Sequence, residues 1–169
     1  MLKRVNDVVE AVLLNVAAIL FVLFIAIVFL QVMARNYLNL SLLWTDEVAL
    51  LCFVWTVLLG AAVAVRKRLH YVVEILPASF VRANLALQLF AGLACLVLIY
   101  VMIVPGYTFA DMGWRRYSIS LRMPLYYLFL SFPVAGIAMA LFTVEVFLDD
   151  VRSFRRGEAP VPHYDEGDL

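Results

Sequence analysis

Four long apolar runs leave this chain few ways to fold: Val8 to Met33, Glu47 to Val65, Leu85 to Val104 and Leu125 to Leu148. About 20 mainly apolar residues in helical conformation, rising 1.5 Å each, cross the ~30 Å hydrocarbon core of a bilayer. No water there serves an unpaired backbone group, so each run must close its hydrogen bonds internally, which a helix does and a lone strand does not. Composition agrees, since 66% of the 169 residues are hydrophobic, 15% are charged and the mean hydropathy is +0.97, far from the norm for soluble domains. The expectation is an all-α membrane protein with a four-helix transmembrane domain over residues 1–153. The remaining tail, 154–169, contains Gly157, Pro160, Pro162 and several acids, and carries too little apolar surface to fold. The first run exceeds the apolar core of about 7–15 residues found in a cleaved signal peptide, so it reads as a retained first helix.

Basic residues are held on the cytoplasmic side during insertion. Under a four-helix topology, Lys3, Arg4, Arg66, Lys67, Arg68, Arg82, Arg152, Arg155 and Arg156 gather at one membrane face, and only Arg35, Arg115, Arg116 and Arg122 at the other. Nine against four predicts both termini in the cytoplasm. Between the second and third helices, residues 69–84 alternate bulky apolar groups with His70, Glu74 and Arg82 around Pro77, the pattern of a short amphipathic segment on the cytoplasmic surface.

Local signals mark the helix ends. Trp44 reads as an interfacial anchor and Thr45 as the N-cap of the second helix. Asp46 and Glu47 follow in its first turn, where the helix dipole favours negative charge by about 0.3–1 kcal/mol. Pro105-Gly106 predicts a break or kink at the far end of helix three, Pro124 opens helix four, and Pro133 removes a donor inside it and predicts a kink.

Chemistry is sparse. Net charge is zero, so no global field points towards nucleic acid. Glu10, Glu47 and Glu145 lie near helix ends, where snorkelling or interfacial water serves them. Asn15 is the deepest strongly polar residue and reads as the donor or acceptor of one interhelical hydrogen bond. Cys52 and Cys95 sit in apolar runs and read as packing residues. The only histidines, His70 and His163, fall outside the spans, which excludes a transmembrane b-type haem. His70 and Glu74 have ligand spacing but no third ligand nearby. A thiol oxidase needs cysteine pairs in exposed loops, and there are none. No cofactor, metal or catalytic residue is expected. A self-sufficient four-helix exporter acting as a homo-oligomer is the rival from another class, and it needs an intramembrane carboxylate.

On a helical wheel, Trp44, Leu51, Trp55, Leu58, Ala62 and Arg66 share one face of the second helix, with Glu47 close to it. Ala49, Phe53, Gly60 and Ala64 lie opposite. Gly60 to Ala64 is a small-residue patch that admits a close helix neighbour. Trp55 has two open readings, lipid-facing or packed.

Trp44-x-x-Glu47, Phe53-Val54-Trp55, Leu59-Gly60-Ala61-Ala62 and Arg66-x-x-x-His70, then Ser118-Ile119-Ser120-Leu121-Arg122-Met123-Pro124 with Pro133 nine residues on, resemble in order and spacing the small membrane subunit of tripartite ATP-independent periplasmic (TRAP) transporters, the DctQ-like family. That family more usually has glycine where Arg122 stands, and tryptophan near Tyr126-Tyr127. The resemblance implies a scaffold in the bacterial inner membrane. Its partners would be a large sodium-coupled membrane subunit, a periplasmic binding protein that delivers an organic acid, and membrane lipids. The residues it marks for partner contacts are Trp44, Glu47, Trp55, Gly60, Ala64, Arg66, Arg115, Arg116, Arg122 and Pro124, the three arginines for receiving the delivery protein.

Overall fold

The computed structural model describes residues 2–67 and 81–156. These form α1 (Leu2–Tyr37), α2 (Leu43–Arg66), α3 (Val81–Met112), the single turn α4 (Tyr126–Phe129) and α5 (Ser131–Arg156), with a 3₁₀ turn at Gly113–Arg115. Among the described residues there is no β-strand, only an isolated bridge between Tyr117 and Pro124. Four helical stretches are long and apolar enough to cross a membrane: Lys3–Tyr37, Leu43–Arg66, Gly92–Arg115 and Tyr126–Phe147. The amphipathic reading of 69–84 falls largely outside the described residues, with 81–84 forming the start of α3. The tail from residue 157 onward lies outside them as well.

All four spans match the apolar runs, yet several boundaries differ for physical reasons. Helix α2 begins at Leu43, and Thr45, read as its N-cap, lies inside the first turn. The Thr45 hydroxyl, fully buried, donates back to the Leu42 carbonyl at 2.5 Å. Pro105 does not end the third helix, because α3 continues through it to Met112. Gly106 beside it brings α3 against the start of α5, with Phe132 Cβ 3.3 Å from where a side chain would begin. Helix four is not one uninterrupted helix either. α4 and α5 are separated at Leu130, whose φ of −60° and ψ of −22° stay in the helical region. The Leu130 amide still reaches Tyr126 O at 2.8 Å, and the buried Ser131 hydroxyl donates to Leu128 O at 2.6 Å. Past the donor that Pro133 lacks, the Val134 amide reaches Leu130 O at 3.3 Å.

The helices pack in a row, α1 on α2, α2 on α5, and α5 on α3. α1 touches α5 only narrowly and, among the described residues, does not meet α3. The core lies where α2, α3 and α5 converge, around Ala62, Val65, Ile99, Met102, Ala135, Ala138, Met139 and Phe142. Small residues let the backbones approach, as expected where dispersion rather than water expulsion holds helices together. A Cβ on Gly136 would stand 3.0 Å from both Met102 Cβ and Ile103 Cγ1. Cys52 is buried, and Cys95 is half-buried against this core.

Gly113 makes the tightest approach of all. A Cβ there would lie 2.6 Å from the Tyr126 amide nitrogen and 2.8 Å from its Cα, backbone atoms that cannot swing aside. Gly113→Ala is expected to cost about 1–3 kcal/mol through overpacking. Gly60→Ala, where nothing lies within 4 Å, should be neutral or slightly stabilising through helix propensity. Thermal unfolding of the two variants in detergent checks the contrast.

Candidate functional site

Polar side chains concentrate at the two ends of α2. At its C-terminal end the Arg66 guanidinium is surrounded by acids from two other helices. Its Nε donates to Glu145 Oε2 at 3.1 Å, one terminal nitrogen pairs with Glu10, and the other reaches Asp7 Oδ1 at 2.5 Å and Glu145 Oε1 at 3.3 Å. Lys67 stands 3.8 Å from Glu10, and Asn6, itself buried, donates to Glu145 Oε2 at 2.7 Å. The guanidinium also lies 5.5 Å from the centre of the Phe142 ring, within cation–π range. Side-chain exposure is 12% for Arg66 and 4% for Glu145, so these charges are withdrawn from solvent and compensate one another.

This corrects the reading of Glu10 and Glu145 as edge groups served by snorkelling or interfacial water. Asp7 and Glu10 are one helical turn apart on α1, Arg66 closes α2 and Glu145 projects from α5. A topology that puts residues 7, 10, 66 and 145 at one membrane face already brings them together, and that was the signal available in the sequence. Asn15 likewise differs from expectation. Its amide donates to Ala11 O of its own helix at 2.7 Å and, among the described residues, bonds no second helix.

At the other end, Glu47 clasps the turn between α3 and α4. Its Oε2 accepts from Ser118 Oγ at 2.6 Å and from the Leu121 amide at 2.9 Å, while Oε1 accepts from the Ser120 amide at 2.8 Å. The legs of the turn are tied by Ser118 N to Met123 O and Leu125 N to Arg116 O, both 2.9 Å, with Pro124 half-buried in the bridge to Tyr117. Arg122 closes the turn at φ +51°, a left-handed conformation that glycine adopts without cost. Trp114 stacks on Tyr126 with centroids 4.3 Å apart, and Trp55 donates its indole N–H to Tyr127 O at 3.0 Å, which decides its two readings in favour of packing.

The marked residues therefore divide. Glu47, Trp55 and Pro124 gather around the 117–124 turn, whereas Arg66 lies at the opposite end of α2. Trp44 is 38% exposed, Gly60 faces open space, and Ala64 is half-buried. Arg115, Arg116 and Arg122 are exposed and form no ion pair among the described residues. A cleft of about 560 Å³ between the end of α1 and the start of α2 is lined by Gln31, Arg35, Asn39, Leu40, Ser41, Leu42 and Asp46. Gln31 donates to Asp46 across it at 2.6 Å. No cluster of His, Cys, Asp and Glu suited to a metal occurs among the described residues. The arrangement can join helices and present cations, and it assembles no nucleophile with a base.

Arg66→Met leaves Glu145 buried without its counter-ion and is expected to destabilise by about 3–5 kcal/mol, and adding Glu145→Leu should restore most of that. A double-mutant cycle of unfolding in detergent measures it. Glu47→Gln offers one acceptor oxygen in place of two, so the Ser120 and Leu121 amides should exchange hydrogen faster while those of the α2 interior do not. Residue-resolved hydrogen exchange reads this directly.

Comparison with known proteins agrees with the helical pattern. A sequence profile described as "Tripartite ATP-independent periplasmic transporters, DctQ component" matches residues 24–153. The chain is also 30% identical over 147 residues to the "Sialic acid TRAP transporter small permease protein SiaQ" of Vibrio cholerae, an alignment covering 85% of this chain and 81% of that relative. By the extent of these matches the chain belongs to the DctQ family, the small permease components of tripartite ATP-independent periplasmic transporters.

Proposed function

We propose that this subunit is a rigid scaffold in the bacterial inner membrane, with both termini cytoplasmic. It supports a large sodium-coupled membrane subunit that takes up an organic acid delivered by a periplasmic binding protein. The carrying observation is the open row of helices. Only 11% of the most apolar window of the first span and 17% of that of the third are buried within the chain, against 33% and 39% for the second and fourth. Two flanking helices thus offer long uncovered apolar faces to another membrane protein, as an accessory subunit requires. Gly60 and Ala64 on one face of α2, and the exposed edge of Trp44 on the opposite face, add to the surface available for contact.

The nine-to-four distribution of basic residues supports the orientation, and the Arg66 cluster then lies at the cytoplasmic face as an internal lock. An exporter working alone is disfavoured because Glu145, the most buried acid among the described residues, is held by Arg66 and Asn6 rather than left open to a cargo cation. The relative's sialic acid is a carboxylate, which agrees with an organic acid as cargo here.

Arg115, Arg116 and Arg122 face the periplasm on this reading and steer an acidic surface of the delivery protein. Reversing all three to glutamate should raise the concentration of delivery protein needed for half-maximal uptake, and more so at low salt. Unchanged uptake would remove the docking role, and transport by this chain alone in liposomes would remove the scaffold role.

A further inference from the structure

Ile119 is 93% exposed, more than any other large hydrophobic side chain of the described residues. Most others with high exposure lie inside the candidate spans, where lipid or a membrane partner covers them. Ile119 lies between the third and fourth spans, at the tip of the turn clasped by Glu47. A flexible loop would fold such a side chain back or leave it mobile. Here the residues on both sides of it are fixed: Ser118 by its hydroxyl bond to Glu47 and its amide bond to Met123 O, Ser120 and Leu121 by their amide bonds to Glu47. Arg122 accepts a left-handed backbone three residues further on, where glycine would relax the chain but carry no charge.

We propose that Ile119 is an apolar plug that seats in a socket on the periplasmic delivery protein, with Arg116 and Arg122 on the two legs of the turn pairing with acids at the socket's rim. The inference rests on the docking reading above and names its central contact. An anchor fixed before binding loses little conformational freedom on docking. A desolvated apolar centre inside a charged rim is the usual anatomy of an energetic hot spot. The partner's rim is acidic because Arg115, Arg116 and Arg122 have no ion pair of their own among the described residues. A lipid surface would accept an isoleucine and arginines from any pliable loop, whereas this turn is held by a carboxylate of another helix.

The test uses the complete complex of this chain with its large subunit, reconstituted in phosphatidylcholine vesicles and titrated with purified delivery protein. Ile119→Ser should raise the half-saturating concentration of that protein by about tenfold without changing the maximal rate. Ile119→Leu should stay close to the parent, and the salt dependence set by the arginines should persist in Ile119→Ser. If Ile119→Ser behaves as the parent while the triple arginine reversal weakens docking, the plug is wrong and the docking reading stands. If both behave as the parent, docking at this face is wrong. Loss of the large subunit on purification of Ile119→Ser overturns the plug by making Ile119 a membrane-subunit contact. The titration is repeated in vesicles that also contain anionic phospholipid, and an effect of Ile119→Ser confined to these overturns the plug in favour of a lipid contact.

Discussion

A guanidinium at the end of an apolar helix has to find carboxylates, because taking an ion out of water costs several kcal/mol even after the surroundings relax. Arg66 finds three, and they come from two different helices. That need sets the rotation of α2 about its axis, the level of Glu145 on α5 and the face of α1 that turns inward. The aliphatic stem and Phe142 add dispersion contacts to the ionic ones. A buried ion pair is weak support for stability when compared with an apolar substitute. Its value here is specificity, since hydrophobic helices in lipid slide past each other at little cost and an ion cluster does not.

The remainder of the fold uses the opposite means. Between its two polar ends, α2 carries mainly small and aliphatic residues, with Phe53 and Trp55 among them, and α3 meets α5 through Gly106 and Gly136. The result is a row of helices fastened by charge at one end of α2, by the Glu47 clasp at the other, and by close backbone contact at the α3–α5 crossing. Neither flanking helix is covered on its outer side, so rigidity is supplied internally while lateral apolar surface remains available.

The four spans were legible because about 20 apolar residues in a row have one common solution in lipid. Proline was harder to read. Pro105 looks like a terminator, yet α3 passes through it, since a proline removes only one bond of the ladder, and Gly106 beside it lets Phe132 and Pro133 pack alongside. Thr45 fits the composition of a cap, but Leu43 and Trp44 extend the helix past it. Glu145 was read as a solvated edge group because a single helix gives no hint of a partner 79 residues away. Only the joint placement of residues 7, 10, 66 and 145 at one membrane face reveals the cluster. The Glu47 clasp was illegible for another reason, since two of its three bonds go to backbone amides, which any residue type supplies.

Arg66 meets its partners at different times during synthesis. The ribosome delivers α1 and α2 first, so Asp7 and Glu10 are already at hand when the guanidinium enters the membrane edge. Glu145 arrives later, on a helix that has no cation of its own at that level among the described side chains. The first helical hairpin is therefore electrically satisfied before α5 exists, and α5 is the element that must search. Glu145 is thus the charge that depends on the order of assembly, since Arg66 and Asn6, its partners in the folded subunit, both lie on helices made before it.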